Sequence, residues 1–324
     1  MPYATVHTQP QLIATLGPSS FLKAGEMFRA GATAFRINAS HMSPVQVREH
    51  LLRVRAEVGA VPCVVDLQGK KMRIGSIESR TLEIGAHLDF SNDPDAQGSV
   101  FVPHPELFEQ TELGERLTLD DSRIEVEVVG RERAVLHTIV HTPGVLSGRK
   151  GINRKNHPFE LVELIDGDSE TLEYCRDIEG ITFAVSFASD GLEAVWVRRR
   201  APHCRVVLKV ERREATERLA ALAASADELW ICRGDLGAQL GIAAMAHAIS
   251  QIRPRSYGIP ILMAGQVLQH LCTHEAPTRS EVCHLHDLLQ RGYAGIVLSD
   301  ETAVGRDPAA AVGWAAQLME HWAA

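Results

Sequence analysis

Apolar runs recur along the chain at residues 12–16, 34–38, 62–67, 180–187, 205–210, 228–232, 259–264 and 294–299. Their apolar character is continuous rather than alternating, as strands covered on both faces require. Between most of them lie stretches with helical apolar periodicity, at 43–58, 169–176, 191–200, 213–224, 242–253 and 266–290, with a last one at 308–321. Eight strands alternating with helices predict a (β/α)8 barrel of the α/β class. One segment breaks this rhythm. From about residue 74 to 147 the helical period vanishes, and short alternating runs appear at 81–84, 87–90, 116–119, 124–129 and 134–140. Turn signals such as Asn92-Asp93-Pro94 and Pro143-Gly144 part these runs. The pattern predicts a catalytic barrel of residues 1–73 and 148–324, with a small all-β domain at 74–147 inserted after the third strand. An insertion at that position is well placed to serve as a lid.

Composition narrows the possibilities. The 324 residues, 45% hydrophobic and 23% charged, can bury a sizeable core. A net charge of −8 argues against a nucleic-acid or anionic-membrane partner. No apolar run reaches the roughly 18 residues of a membrane span, and residues 1–7 show no charged-then-apolar leader. The six cysteines are scattered and form no CxxC pair. Reduced thiols in a cytoplasmic protein are the expectation.

Candidate chemistry concentrates at strand ends. Leu208-Lys209-Val210-Glu211 and Cys232-Arg233-Gly234-Asp235 close successive predicted strands, so a lysine, a glutamate and an aspartate emerge at one mouth of the barrel. In such barrels that mouth is the catalytic face. Glu211 and Asp235 can hold a hard divalent cation through oxygen, and Lys209 offers a point charge to a phosphoryl or enolate oxygen. Arg36, Asn38 and Ser40 alternate and so share one face of a strand end, a combination suited to a phosphate and a cation. Asp66 ends the third strand near Asn38 and Ser40. Together these oxygens could ligate a monovalent cation or accept from a lysine ammonium. Lys71 and Arg73 either face the same mouth or form a basic hinge into the inserted domain. Thr15 and Pro18, in Thr15-Leu16-Gly17-Pro18, and Lys150, in Gly148-Arg149-Lys150-Gly151, are weaker phosphate-contact candidates, and His41 reads as a rim contact. Thr278 and Glu281 stand at capping-box spacing. The neighbouring Cys283, His286 and Asp287 lack a second cluster to complete a metal site.

The ordered set ATLGPS, FRINASH, VVDLQGKKMRIG, LTLDD, GRKGIN, VSFASD, LKVER, CRGDLG, PTRSE and LSDETA covers nearly the whole chain and resembles pyruvate kinase. The resemblance implies phosphoryl transfer from phosphoenolpyruvate, or a related enol phosphate, to ADP, giving ATP and pyruvate. It also implies a dependence on Mg²⁺ or Mn²⁺ and a β-rich domain that closes over the nucleotide. By position, Lys209 resembles the lysine that stabilises the transferring phosphoryl group and the enolate. Glu211 and Asp235 resemble the divalent-metal ligands, and Arg36 and Arg73 the phosphate-holding arginines. Thr15, Pro18, His41 and Lys150 match nucleotide-side positions. Asn38, Ser40, Asp66 and the Leu67 carbonyl match the monovalent-cation site. Most members carry a glutamate beside that site and need K⁺. Lys71 stands there in this chain, so no K⁺ requirement is expected.

Three departures accompany the resemblance. The chain stops at Ala324, after the eighth barrel helix, so the family's C-terminal domain is not expected, nor is activation by a sugar phosphate. At most a homodimer through the barrel is expected. Gly265 replaces a threonine implicated in enolate protonation, a loss that could cost roughly 10²-fold in rate, and leaves room for a larger C3 substituent. Ala188-Ser189 replaces a segment that usually carries a basic residue. These departures keep two alternatives open: a divergent metal-dependent lyase or decarboxylase of 2-oxo acids, and a non-catalytic relative that binds nucleotide or a partner protein.

Overall fold

The computed structural model describes residues 9–69, 71–120, 123–155 and 163–323. Two compact units emerge, one formed by Met1–Gly69 with Glu163–Ala324, the other by Lys70–Val162.

The first unit is a closed barrel of eight parallel strands: β1 Gln11–Leu16, β2 Ala34–Asn38, β3 Cys63–Leu67, β4 Ile181–Val185, β5 Arg205–Val210, β6 Glu228–Cys232, β7 Ile261–Ala264 and β8 Gly295–Leu298. Neighbours in sequence are neighbours in the barrel, and β8 closes it on β1 through the register Gln11↔Gly295. Ile13, Ala34, Val64, Ala184, Val207, Trp230, Leu262 and Val297 meet in the interior. Trp230 is fully buried there, and its indole N–H donates to Glu228 Oε1 at 2.6 Å. Its only polar atom is thereby satisfied. Because side chains alternate across a strand, the next inward positions toward the C-terminal ends are Thr15, Arg36, Asp66, Ser186, Lys209 and Cys232. The same parity that fills the core thus lifts a layer of polar side chains to the mouth above it.

Several helices differ from expectation. The stretch 266–290 is not one helix but a short 3-10 turn, Gln269–Cys272, followed by the helix Arg279–Gln290. Pro277 lies within the break, and Thr278 restarts the helix with a complete capping box to Glu281. The stretch 213–224 divides into Arg213–Glu217 and Leu219–Ser225. A six-residue helix, Ala24–Arg29, was too short for its periodicity to register.

The second unit carries a six-stranded sheet in the order Ile152–Arg154, Arg116–Leu119, Ile124–Glu132, Val135–Thr142, His87–Ser91, Val100–Phe101, and a two-stranded sheet of Gly144–Leu146 with Arg80–Leu82. Its core includes Leu88, Phe90, Phe108, Leu117 and Val126. The unit extends past residue 147 because Ile152 pairs antiparallel with Leu119. It also contains a helix, Pro105–Gln110, which opens on a proline whose missing N–H costs nothing at that position.

Candidate active site

At the C-terminal mouth of the barrel four charged side chains form a buried quartet. Lys209 Nζ lies 3.1 Å from both Asp66 oxygens, 2.9 Å from Ser186 Oγ and 3.0 Å from Glu211 Oε1. Arg36 directs Nε and Nη2 at Asp66 Oδ2, at 2.7 and 2.6 Å, and donates from Nη1 to Thr15 Oγ1 at 3.0 Å. The side chains of Asp66, Glu211 and Lys209 are 2%, 1% and 9% exposed. Two cations therefore face two anions where water cannot screen them. Burial alone would raise the Asp66 carboxyl, but Lys209 and Arg36 outweigh it and hold that carboxyl below the usual range. Burial would likewise strip the proton from Lys209, and Asp66 and Glu211 reverse this, so Lys209 is held firmly as an ammonium. Burial pushes the adjacent Cys232 thiol well up, aided by Glu211, so it stays protonated.

Backbone geometry fixes the quartet. Register sets Thr15 opposite Arg36 and Asn38 opposite Asp66. Glu211 Oε2 accepts the Phe187 N–H at 2.7 Å, and Phe187 is held at a φ of +56°. An aromatic residue seldom adopts that region, so the bond to Glu211 coincides with local backbone strain. Ser186 Oγ donates to the Leu67 carbonyl at 2.8 Å. Ser186 is central although no role was read for it; it stands in the VSFASD motif and lies two residues beyond the inward Ala184, so parity also marks it.

The other expected residues fall as follows. Asp235 is half-buried in the first turn of the helix Arg233–Leu240, which follows β6, the neighbour of the strand β5 that leads to Glu211. Gly265 follows β7 with a φ of +82°, and Gln266 follows at +53°. Arg233 locks this turn: its Nε and Nη2 donate to the Gly265 carbonyl at 2.9 and 2.7 Å, and Nη2 also donates to the Gln266 carbonyl at 2.8 Å. Arg233 Nη1 lies 2.8 Å from His284 Nε2, which places His284 in a structural role. Among the described residues no group of three or more His, Cys, Asp or Glu could hold a metal by itself.

Thr15 is buried, exchanges hydrogen bonds with Thr302, and orients Arg36. Pro18 is exposed in the turn that follows. Asn38 Oδ1 caps the Ala39–His41 turn by accepting the Ser40 N–H at 3.1 Å. The side chain of His41 lies outside what is described. Of the two roles open to Asp66, acceptance from a lysine ammonium is the one seen, and the lysine is Lys209.

Arg73, Lys150 and Lys71 belong to the second unit. Arg73 Nη1 donates to the Arg149 carbonyl at 2.9 Å, and its backbone N–H donates to His104 Nε2 at 3.1 Å. Burial pushes His104 down to about 4, so it is a neutral acceptor. Lys150 Nζ pairs with Asp120 Oδ1 at 2.6 Å. Lys71 is half-buried beside Gly151.

Comparison with known proteins adds a second line of observation. Residues 7–312 match a family model described as the pyruvate kinase barrel domain. A pyruvate kinase of Methylorubrum extorquens is 30% identical over 325 residues, which are 96% of this chain and 68% of that protein. One from Aeropyrum pernix is 30% identical, over 95% of this chain and 69% of its own length. One from Thermotoga maritima is 27% identical, over 93% and 68%.

Proposed function

The chain belongs to the pyruvate kinase family, and from that premise we propose that it transfers the phosphoryl group of phosphoenolpyruvate to ADP, giving ATP and pyruvate. The observation that carries this reading is the buried quartet of Arg36, Asp66, Lys209 and Glu211 at the catalytic mouth. Phosphoryl transfer needs little covalent chemistry from a protein; it needs charges fixed where negative charge moves.

Lys209 is that charge. Its three N–H bonds are spent on Asp66, Ser186 and Glu211, so a substrate oxygen that reaches it takes over one of these. The ammonium then faces first a phosphoryl oxygen and, as the P–O bond breaks, the enolate oxygen left behind. Arg36 adds a second fixed cation, oriented by Thr15 and Asp66 rather than by the substrate. Preorganisation of this kind spares reorganisation during the reaction.

Glu211 and Asp235 are the residues that would hold Mg²⁺. Two carboxylates from adjacent strands suit a small hard cation that completes its shell with water and substrate oxygens. When bound, the ion supplies charge neutralisation on the transferring group. In the second unit the proposal extends to Arg73 and Lys150 as phosphate ligands, supported by their charge and their anchored positions, and to Lys71 as the replacement for a monovalent cation. Gly265 brings no side chain to the enolate, so its protonation falls to solvent.

The test follows ³¹P resonances of phosphoenolpyruvate with Mg²⁺, with and without ADP. Growth of the ATP γ-phosphoryl signal at the expense of the enol phosphate is expected only with ADP. Consumption that ignores ADP would replace this reading with a nucleotide-independent one.

A further inference from the structure

Asp168 plays no part in the chemistry above, yet it is buried at 3% exposure in the first turn of the helix Asp166–Cys175. Its Oδ1 accepts the N–H of Gln68 at 2.9 Å and its Oδ2 the N–H of Gly69 at 2.7 Å. These two residues follow Leu67 directly, at the C-terminal end of β3. Burial pushes the Asp168 carboxyl up to about 7 against the pull of both amides, and the nearby Asp66 charge adds to the rise. Keeping such a carboxyl buried is costly, and here both of its oxygens are spent on one turn.

That turn leads to Lys209. Gly69 has a φ of +59°, and a Cβ there would lie 2.1 Å from the Ser186 carbonyl oxygen, so the turn is pressed against the Ser186 backbone. The Leu67 carbonyl accepts from Ser186 Oγ at 2.8 Å. Ser186 Oγ in turn lies 2.9 Å from Lys209 Nζ. A displacement of Gln68 and Gly69 therefore moves the Leu67 carbonyl, turns the serine hydroxyl to its other acceptor, Asp66 Oδ1 at 3.2 Å, and shifts one of the three bonds that orient the ammonium.

We propose that Asp168 is a positioning residue that clamps the Gln68–Gly69 turn so that Leu67 and Ser186 hold Lys209 in its working orientation. The proposal rests on Lys209 being the group that meets the transferring phosphoryl. Wild-type turnover checks that premise, whereas the ratio of variant to wild type checks the role of Asp168.

The experiment uses the full chain and two variants, Asp168→Asn and Asp168→Glu. Asparagine keeps one acceptor but turns an NH₂ toward the other amide. Glutamate keeps the charge and moves it by one methylene. Both are assayed for kcat and for KM toward phosphoenolpyruvate, and amide exchange is read at Gln68 and Gly69. A misplacement of about 1 Å can cost on the order of 10²-fold, so kcat is expected to fall about 10- to 100-fold with KM little changed, and the two amides to exchange faster. Adding Ser186→Ala to Asp168→Asn is expected to cost no more than the larger single loss, because both act through one path. Three results would overturn the proposal: a variant kcat within about twofold of wild type despite faster exchange, unchanged exchange, or a double variant whose losses multiply in full.

Discussion

Replacing Asp66 with asparagine removes one charge from a balanced set of four. Arg36 directs two nitrogens at that carboxylate and Lys209 reaches both of its oxygens, whereas Glu211 pairs with Lys209 and accepts the Phe187 N–H. The variant leaves Arg36 as a largely buried cation facing neutral acceptors, the new amide and Thr15 Oγ1 at 3.0 Å, in place of a carboxylate. Breaking a buried pair by removing one partner costs about 3–5 kcal/mol, because the remaining charge cannot recover its hydration. For a unit of this size that corresponds to a fall of roughly 6–20 °C in midpoint. Calorimetry of the full chain reads it as a shift of the barrel transition. The control is Arg36→Met combined with Asp66→Asn, which removes both charges. The cycle should show a coupling energy of at least about 1 kcal/mol, since residues in one buried network are not additive. A loss under about 1 kcal/mol for Asp66→Asn alone, or fully additive single effects, would refute the claim that the quartet stands on mutual neutralisation.

Two further predictions concern the second unit. Burial holds His104 at about 4, below the ordinary 6.5, so the folded unit binds fewer protons than the unfolded chain between these values. Its contribution is complete above pH 6.5 and is lost as pH falls toward 4, by at most about 3 kcal/mol. His104→Gln should flatten that acid-side loss in urea midpoints of the unit, and an unaltered loss would place its origin elsewhere. Lys71→Glu should make turnover depend on K⁺, and indifference of the variant to K⁺ would remove Lys71 from its proposed role.

The barrel was legible because its strands are covered on both faces and read as continuous apolar runs, a signal independent of any motif. Lys209, Glu211 and Asp235 were legible for a related reason: they stand where such runs stop. The partnership of Asp66 with Lys209 was not, since the two lie 143 residues apart and only the closure of the sheet brings them together. The roles of Arg233, although it stands in the CRGDLG motif, and of Asp168 were not legible because both act on backbone, Arg233 on the carbonyls of Gly265 and Gln266 and Asp168 on the amides of Gln68 and Gly69. Nothing in a side-chain pattern announces a backbone partner. The long helix expected over 266–290 failed where Pro277 and a capping box interrupt an otherwise apolar stretch.

The most direct measurement is the rate of pyruvate formation from phosphoenolpyruvate and ADP with Mg²⁺, compared between the wild-type chain and Lys209→Met. Methionine keeps most of the length of the side chain and removes its charge. Turnover in the wild type that falls by about 10³-fold or more in the variant, the scale associated with losing a cation that stabilises the charge of phosphoryl transfer, is the predicted result. Equal rates in the two proteins would contradict the assignment of Lys209, and with it the catalytic account of the quartet.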